Sequence, residues 1–204
     1  MSKKMMKLAK MGIGCLLLLG LFGLCGCESA PAEEGTTVSI GKDGSVTCYI
    51  VEKFDKPYYD GEEMKQMVLS EVADYNKSVG GSSISVDKVL VEDGLATVLL
   101  KFATAKDYAD FHGNTFFVGT AKEAQEAGYD LNTVLSSTED ELETIGMSDM
   151  LAMEEYRILV TDMKEPVTLN GKVAYVSDNT IYSTSLRTVV FGGEADEMAY
   201  VMYR

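Results

Sequence analysis

The chain has 204 residues, 46% of them hydrophobic and 25% charged, with three prolines, a composition that excludes a disordered tail and suits one folded domain or two small lobes. Its formal net charge is −14, and without the first 26 residues, which hold four of the 18 bases and no acid, 14 bases face 32 acids, a balance of −18. A surface this acidic repels phosphate backbones and anionic headgroups, which excludes nucleic acid as a partner and a basic face as the means of membrane binding.

Met1 to Met11 is a short basic stretch with Lys3, Lys4, Lys7 and Lys10, and an uncharged apolar run from Gly12 to Leu24 follows it. That order is the order of an export signal. The run ends in Leu24-Cys25-Gly26-Cys27, immediately before Glu28. In these four residues the chain resembles the bacterial lipoprotein family, whose lipobox is an aliphatic residue, a small residue, Gly or Ala, and then the modified Cys; Cys25 stands where Ala or Ser is more usual. The resemblance covers the first 27 residues. It implies transfer of diacylglycerol to the Cys27 sulfur, removal of residues 1–26 as a signal peptide, and retention on the outer face of the cell membrane. Two acyl chains of roughly 15 buried methylenes each, at about 0.8 kcal/mol per methylene, amount to on the order of 24 kcal/mol, enough for permanent anchoring. The uncharged run from Met11 to Cys27 also reaches the low end of spanning length, so an uncleaved transmembrane helix is the alternative. Bases before the run and acids after it leave the folded part outside in both cases.

Cys15 and Cys25 belong to the leader and Cys27 is the lipid site, so Cys48 has no partner in its own chain and no disulfide framework is expected. Glu28 to Gly35 is small, polar and acidic and reads as a spacer between lipid and fold.

Thr37 to Ile40 and Ser45 to Phe54 are rich in β-branched and aromatic residues and flank Gly41-Lys42-Asp43-Gly44, the pattern of a hairpin. A helix is expected from near Asp60, with Met64, Met67, Val68, Val72 and Tyr75 on one face and Gly80-Gly81 as its stop. Ser83 to Val91 and Leu95 to Ala103 form a second hairpin around Glu92-Asp93-Gly94. Thr104 caps a short helix to Phe111, Asn114 to Val118 is a short strand, and Thr120 with Glu123 is a capping box whose helix runs to Gly128. Asn132 to Met153 reads as a loop with a helical turn. From there Tyr156 to Thr161, Val167 to Leu169, Lys172 to Val176, Thr180 to Thr184, Leu186 to Phe191 and Met198 to Tyr203 are strand-like, with turns at Asn170-Gly171 and Asp178-Asn179.

The fold class is α+β, with antiparallel hairpins and two to three helices in the first part and a β-rich meander in the C-terminal part. The organisation is a signal peptide (1–26), a lipidated tether (27–35) and a single domain (36–204), in which 36–150 and 154–204 are candidate sub-lobes. Across Tyr108 to Tyr129 the chain also resembles small lipoproteins of Gram-positive anaerobes whose function is uncharacterised; this resemblance implies no functional residue.

Catalytic patterns are thin. Ser85 with Lys88, and Ser177-Asp178-Asn179, match the S-x-x-K and S-D-N elements of penicillin-binding enzymes, but Ser85 sits in an alternating strand where a helix start is required, and K-T-G is absent. They read as ordinary strand and turn residues. His112 is the sole histidine, which excludes a His-rich zinc site, and its place after a helix makes it a terminal residue near the negative end of the helix dipole. Cys48 alternates with Val46 and Ile50, which puts it against the core and makes it inert rather than a nucleophile served by His112. Glu139, Asp140, Glu141 and Glu143 supply oxygen ligands of the type calcium takes, but lack the spaced pattern and its glycine, so a solvated charge run is the better reading. Carboxylate pairs suited to glycoside hydrolysis are bound to occur among 32 acids and single out nothing. Tyr175, Tyr182, Tyr200 and Tyr203 read as core or cross-strand residues before a ligand groove.

No catalytic residue, metal ligand or cofactor site is therefore expected, and Cys27 is the one functional residue. The chain reads as a lipid-anchored, non-enzymatic module that meets an envelope polymer, a peptide or a protein. The alternatives are an envelope hydrolase working through carboxylates and an accessory lipoprotein of a transporter or signalling system.

Overall fold

The computed structural model describes residues 34–140, 142–193 and 197–204; the leader, the Cys27 lipid site and most of the spacer lie outside them. The first hairpin forms as its turn chemistry dictates. β1 (Gly35–Ile40) and β2 (Val46–Lys53) pair antiparallel from Gly35 opposite Val51 to Ile40 opposite Val46. The turn is closed by the Gly41 amide donating to the Ser45 carbonyl at 2.8 Å and by Asp43 Oδ1 accepting from the Ser45 amide. Pairing begins at Gly35, and Glu34 meets Lys53 at 2.7 Å, so the ordered sheet takes in the end of the spacer.

α1 (Gly61–Val79) starts where Asp60 Oδ1 accepts from the Glu62 and Glu63 amides at 2.9 and 3.1 Å and stops at Gly80, whose φ of 72° an L side chain resists. Met64, Val68 and Val72 are its buried face. β3 (Ile84–Glu92) and β4 (Leu95–Phe102) make the second hairpin, with a bulge between Val86 and Lys88. α2 (Ala105–His112) is capped by Thr104; β5 (Phe116–Gly119) follows, then α3 (Ala121–Glu126), whose capping box joins Thr120 and Glu123 in both directions. The segment Asn132 to Met153 is more structured than a loop: it holds β6 (Leu135–Ser137), β7 (Thr144–Ile145) and α4 (Met147–Ala152). Strands of two and three residues are too short to show a period, which is why alternation did not reveal them.

The C-terminal part is β-rich, with β8 (Arg157–Thr161), β9 (Val167–Thr168), β10 (Val173–Val176), β11 (Thr180–Tyr182), β12 (Thr188–Phe191) and β13 (Ala199–Tyr203). These strands are dealt between two sheets rather than paired in succession. One sheet has the order β11-β12-β9-β1-β2-β4-β3 and the other β5-β8-β13-β10-β6-β7. Every described pairing is antiparallel except β1 with β9. Both sheets thus draw strands from 36–150 and from 154–204, so the two segments share their sheets and are not separate lobes.

The chemistry of alternation explains the layers. In β13, Ala199, Val201 and Tyr203 face one core while Tyr200 and Met202 face another. The first core lies where the seven-stranded sheet (Val38, Val46, Cys48, Leu100, Phe102, Val167) meets α1 and one face of the six-stranded sheet. The second lies on the opposite face of the six-stranded sheet, under α3 and α4, with Ile158, Val160, Ala124 and Met150. A strand buried on both faces reads as a continuous apolar run, and all five residues of β13 are buried. Among the described residues no helix is long and apolar enough to cross a membrane.

Candidate functional site

The residues that carry chemistry in the sequence are scattered by the fold. Ser85 is exposed on β3, an edge strand of the seven-stranded sheet, and its hydroxyl donates to Asp87, which is itself paired with Lys101 at 2.7 Å. Ser177 follows β10 in the other sheet. Its Oγ accepts from the buried Tyr200 amide at 2.9 Å and donates to Asn179 Oδ1 at 2.6 Å, while Asn179 Nδ2 donates to the Met198 carbonyl at 3.1 Å. The S-D-N element is thus a turn that ties β10 to β13, and the two serines do not share a site.

Cys48 is fully buried, and burial pushes its thiol up to about 12, so it holds its proton at neutral pH. The Tyr108 hydroxyl, not the His112 imidazole, is the polar side-chain group beside it. Asn114 stands beside the same hydroxyl, and its Oδ1 is buried with no protein partner. His112 ends α2 as its position implies, but it is not a charge on the helix dipole. Its ring lies 4.5 Å from Tyr108, 5.3 Å from Phe111 and 5.6 Å from Phe102, centroid to centroid, and its Nε2 is buried with no partner. Burial lowers it from 6.5 to about 4, so desolvation outweighs the dipole and the ring is neutral at pH 7.

The acids of 139–143 turn apart. Glu139 pairs with Lys172 at 2.8 Å, Asp140 Oδ1 accepts from the Leu142 amide at 3.0 Å, and Glu143 accepts from the Tyr175 hydroxyl at 2.9 Å; Glu141 lies outside the described residues. Among the described residues no three His, Cys, Asp or Glu side chains converge as metal ligands would. Tyr175, Tyr200 and Tyr203 are buried, whereas Tyr182 is exposed at the edge strand β11.

A concave site lies elsewhere, in a groove of 310 Å³ between α3 and α4, lined by Thr120, Ala121, Lys122, Met150, Leu151, Met153 and Glu154. Two capped turns build it. The capping box fixes the start of α3, and Asp149 Oδ2 accepts from the Gly146 amide at 3.1 Å at the start of α4. Met150 is anchored in the second core, with Leu151 and Met153 half-buried beside it, so thioethers and an aliphatic chain form an adaptable apolar wall. At the mouth Lys122 Nζ donates to Glu154 Oε1, an exposed ion pair that holds the Glu154 carboxyl below its ordinary range. Screened by water, such a pair opens at little cost. The Thr120 hydroxyl is engaged by Glu123 in the capping box, so the groove offers contact surface and two separable charges rather than an activated nucleophile. The sequence marked the start of α3 through its capping box but left α4 hidden in a segment without a readable period; Met147, Met150 and Met153, three apart, were the available signal.

No protein-family model, curated protein or solved structure matches this chain.

Proposed function

We propose that the chain is an extracytoplasmic lipoprotein, held on the outer face of the cell membrane by acyl chains on Cys27, whose folded domain is a non-enzymatic binding module for a peptide, a protein or an envelope polymer. Attachment is supported by the basic stretch, the apolar run and the Leu24-Cys25-Gly26-Cys27 sequence that resembles a lipobox. The binding role rests on one observation, the groove between α3 and α4, whose apolar wall and single open-mouthed ion pair suit recognition of a side chain or sugar face. Cys48, His112, Ser85 and Ser177 each serve the fold in ways that leave them poor catalysts.

The two halves of the reading are tested separately. Cys27→Ala is expected to shift the protein from the membrane fraction to the soluble fraction or to leave it unprocessed; unchanged size and membrane content would refute the anchor. For the groove, the chain from Glu28 onward, which keeps both sheets and both cores, is immobilised and exposed to envelope extract beside its Leu151→Glu variant. A peptide, protein or polymer retained by the first and lost from the second is the expected result, and equal retention by both removes the groove from the function.

A further inference from the structure

The loop between β2 and α1 displays two exposed tyrosines that extend a row of rings outward from the core. Phe54 packs against the first core, and its amide donates to the Gly94 carbonyl at 2.7 Å. The Tyr59 ring lies against Phe54, centroids 4.7 Å apart with planes at 33°, and Tyr58 meets Tyr59 edge-on at 5.0 Å and 79°. Tyr58 is 75% exposed. A turn closed by the Tyr59 amide on the Lys56 carbonyl at 3.0 Å, with Pro57 as its second residue, holds these rings out on a stiff support. Keeping a tyrosine face in water on a pre-ordered turn forgoes burial, and it lowers the entropy that docking would otherwise cost.

The ground around the rings is negative. Asp55, Asp60, Glu62 and Glu63 flank them in the chain. The β3–β4 turn adds Glu92 and Asp93: Gly94 bonds the Phe54 amide, and Val91 lies 3.2 Å from where a Cβ on Gly61 would stand. Asp60, Glu62 and Glu63 serve the start of α1, but Asp55, Glu92 and Asp93 have no such duty there. The bases nearest in the chain are each matched by an acid: Lys56 pairs with Asp55 at 3.7 Å and Lys53 with Glu34 at 2.7 Å. Rings alone would accept any flat ligand; rings set among carboxylates favour one that is flat and cationic.

We propose that this surface docks an arginine-bearing segment of another polypeptide, with guanidinium planes on Tyr58 and Tyr59 and their N–H groups donating to the surrounding carboxylates. Arginine is preferred to lysine because its planar, weakly hydrated head both stacks and donates in a fork. The surface shares no residue with the groove between α3 and α4, so either can fail without the other.

The test uses the chain from Glu28 onward and fluorescent hexa-arginine, hexalysine and chitohexaose, read by anisotropy at low and physiological salt. Tyr58→Ala leaves the net charge unchanged and alters an exposed ring, and circular dichroism confirms that it folds. Expected are tighter binding of hexa-arginine than of hexalysine, a loss of roughly fivefold in Tyr58→Ala, recovery in Tyr58→Phe, and a change below about twofold in the remote charge variant Glu126→Gln. Hexa-arginine bound equally by the parent and Tyr58→Ala would mean attraction by bulk charge and overturn the proposal. So would no binding, or Tyr58-dependent binding of chitohexaose in place of the cation.

Discussion

The ring of Tyr108 lies 4.5 Å from that of His112, and its hydroxyl is the polar neighbour of the Cys48 thiol, so one tyrosine stands beside both the chain's sole histidine and its buried cysteine. Two groups that could have formed a nucleophile and its base are each committed to the same aromatic neighbour. Their protonation is set by burial, and burial can be measured.

For His112 the direction follows from linkage. Its folded value, about 4, lies below the 6.5 of the free side chain, so as pH falls the unfolded chain takes up the proton first. The stability it contributes is complete above about pH 6.5 and is lost progressively as pH falls toward 4. By pH 5 the loss is about 2 kcal/mol, and below pH 4 it approaches about 3 kcal/mol. Urea unfolding at pH 7.5 and pH 5 is expected to show a drop in the parent that shrinks by about 2 kcal/mol in His112→Phe. Equal drops in the two proteins would show that the imidazole is not the group being charged.

Cys48 is expected to be silent in the folded protein. In the chain from Glu28 onward it is the sole cysteine, and a thiol held near 12 and fully buried offers almost no thiolate at pH 8. Iodoacetamide should therefore label it only after denaturation, with mass spectrometry as the readout. Rapid labelling of the native protein would mean that the cover formed by the first core opens readily.

The two ends of α1 can be weighed one against the other. Asp60→Ala removes the acceptor for the Glu62 and Glu63 amides and is expected to cost about 1 kcal/mol. Gly80→Ala places a methyl group in open space, since nothing lies within 4 Å of its Cβ position, but forces an L residue to φ 72°, again about 1 kcal/mol. The sites are far apart and share no partner, so the double variant should lose the sum. Thermal or urea denaturation of all three reads this directly.

Ser177→Ala discriminates a structural serine from a catalytic one. Its Oγ is the acceptor for the buried Tyr200 amide, and losing it strands that donor at a cost of about 2 kcal/mol. Urea midpoints should fall accordingly, while the affinity for any ligand of the groove stays at the parent value. A variant as stable as the parent would show that the amide finds another acceptor.

What was legible in the sequence was local. The turn at Gly41 to Gly44, the helix start near Asp60, the Thr104 cap, the Thr120–Glu123 capping box and the periodic face of α1 each depend on residues a few positions apart, and all recur in the structure. The burial of Cys48 was equally readable, because Val46 and Cys48 alternate onto one face. Which sheet each later strand would join was not. Nothing within Val167-Thr168 says that it lies parallel to β1, and nothing within Ala199 to Tyr203 says that it separates β8 from β10. The charge of His112 was only partly legible, since Tyr108 and Phe111 precede it on its own helix but Phe102 comes from β4. The groove needed α3 and α4, and only the first announced itself.

The central place of β13 sets an order on folding. Val201 and Tyr203 help to fill one core and Tyr200 and Met202 the other, so a polypeptide that stops short of Ala199 leaves both incomplete. Removing Ala199 to Arg204 should consequently abolish folding altogether, whereas trimming residues ahead of Glu34 should leave it intact.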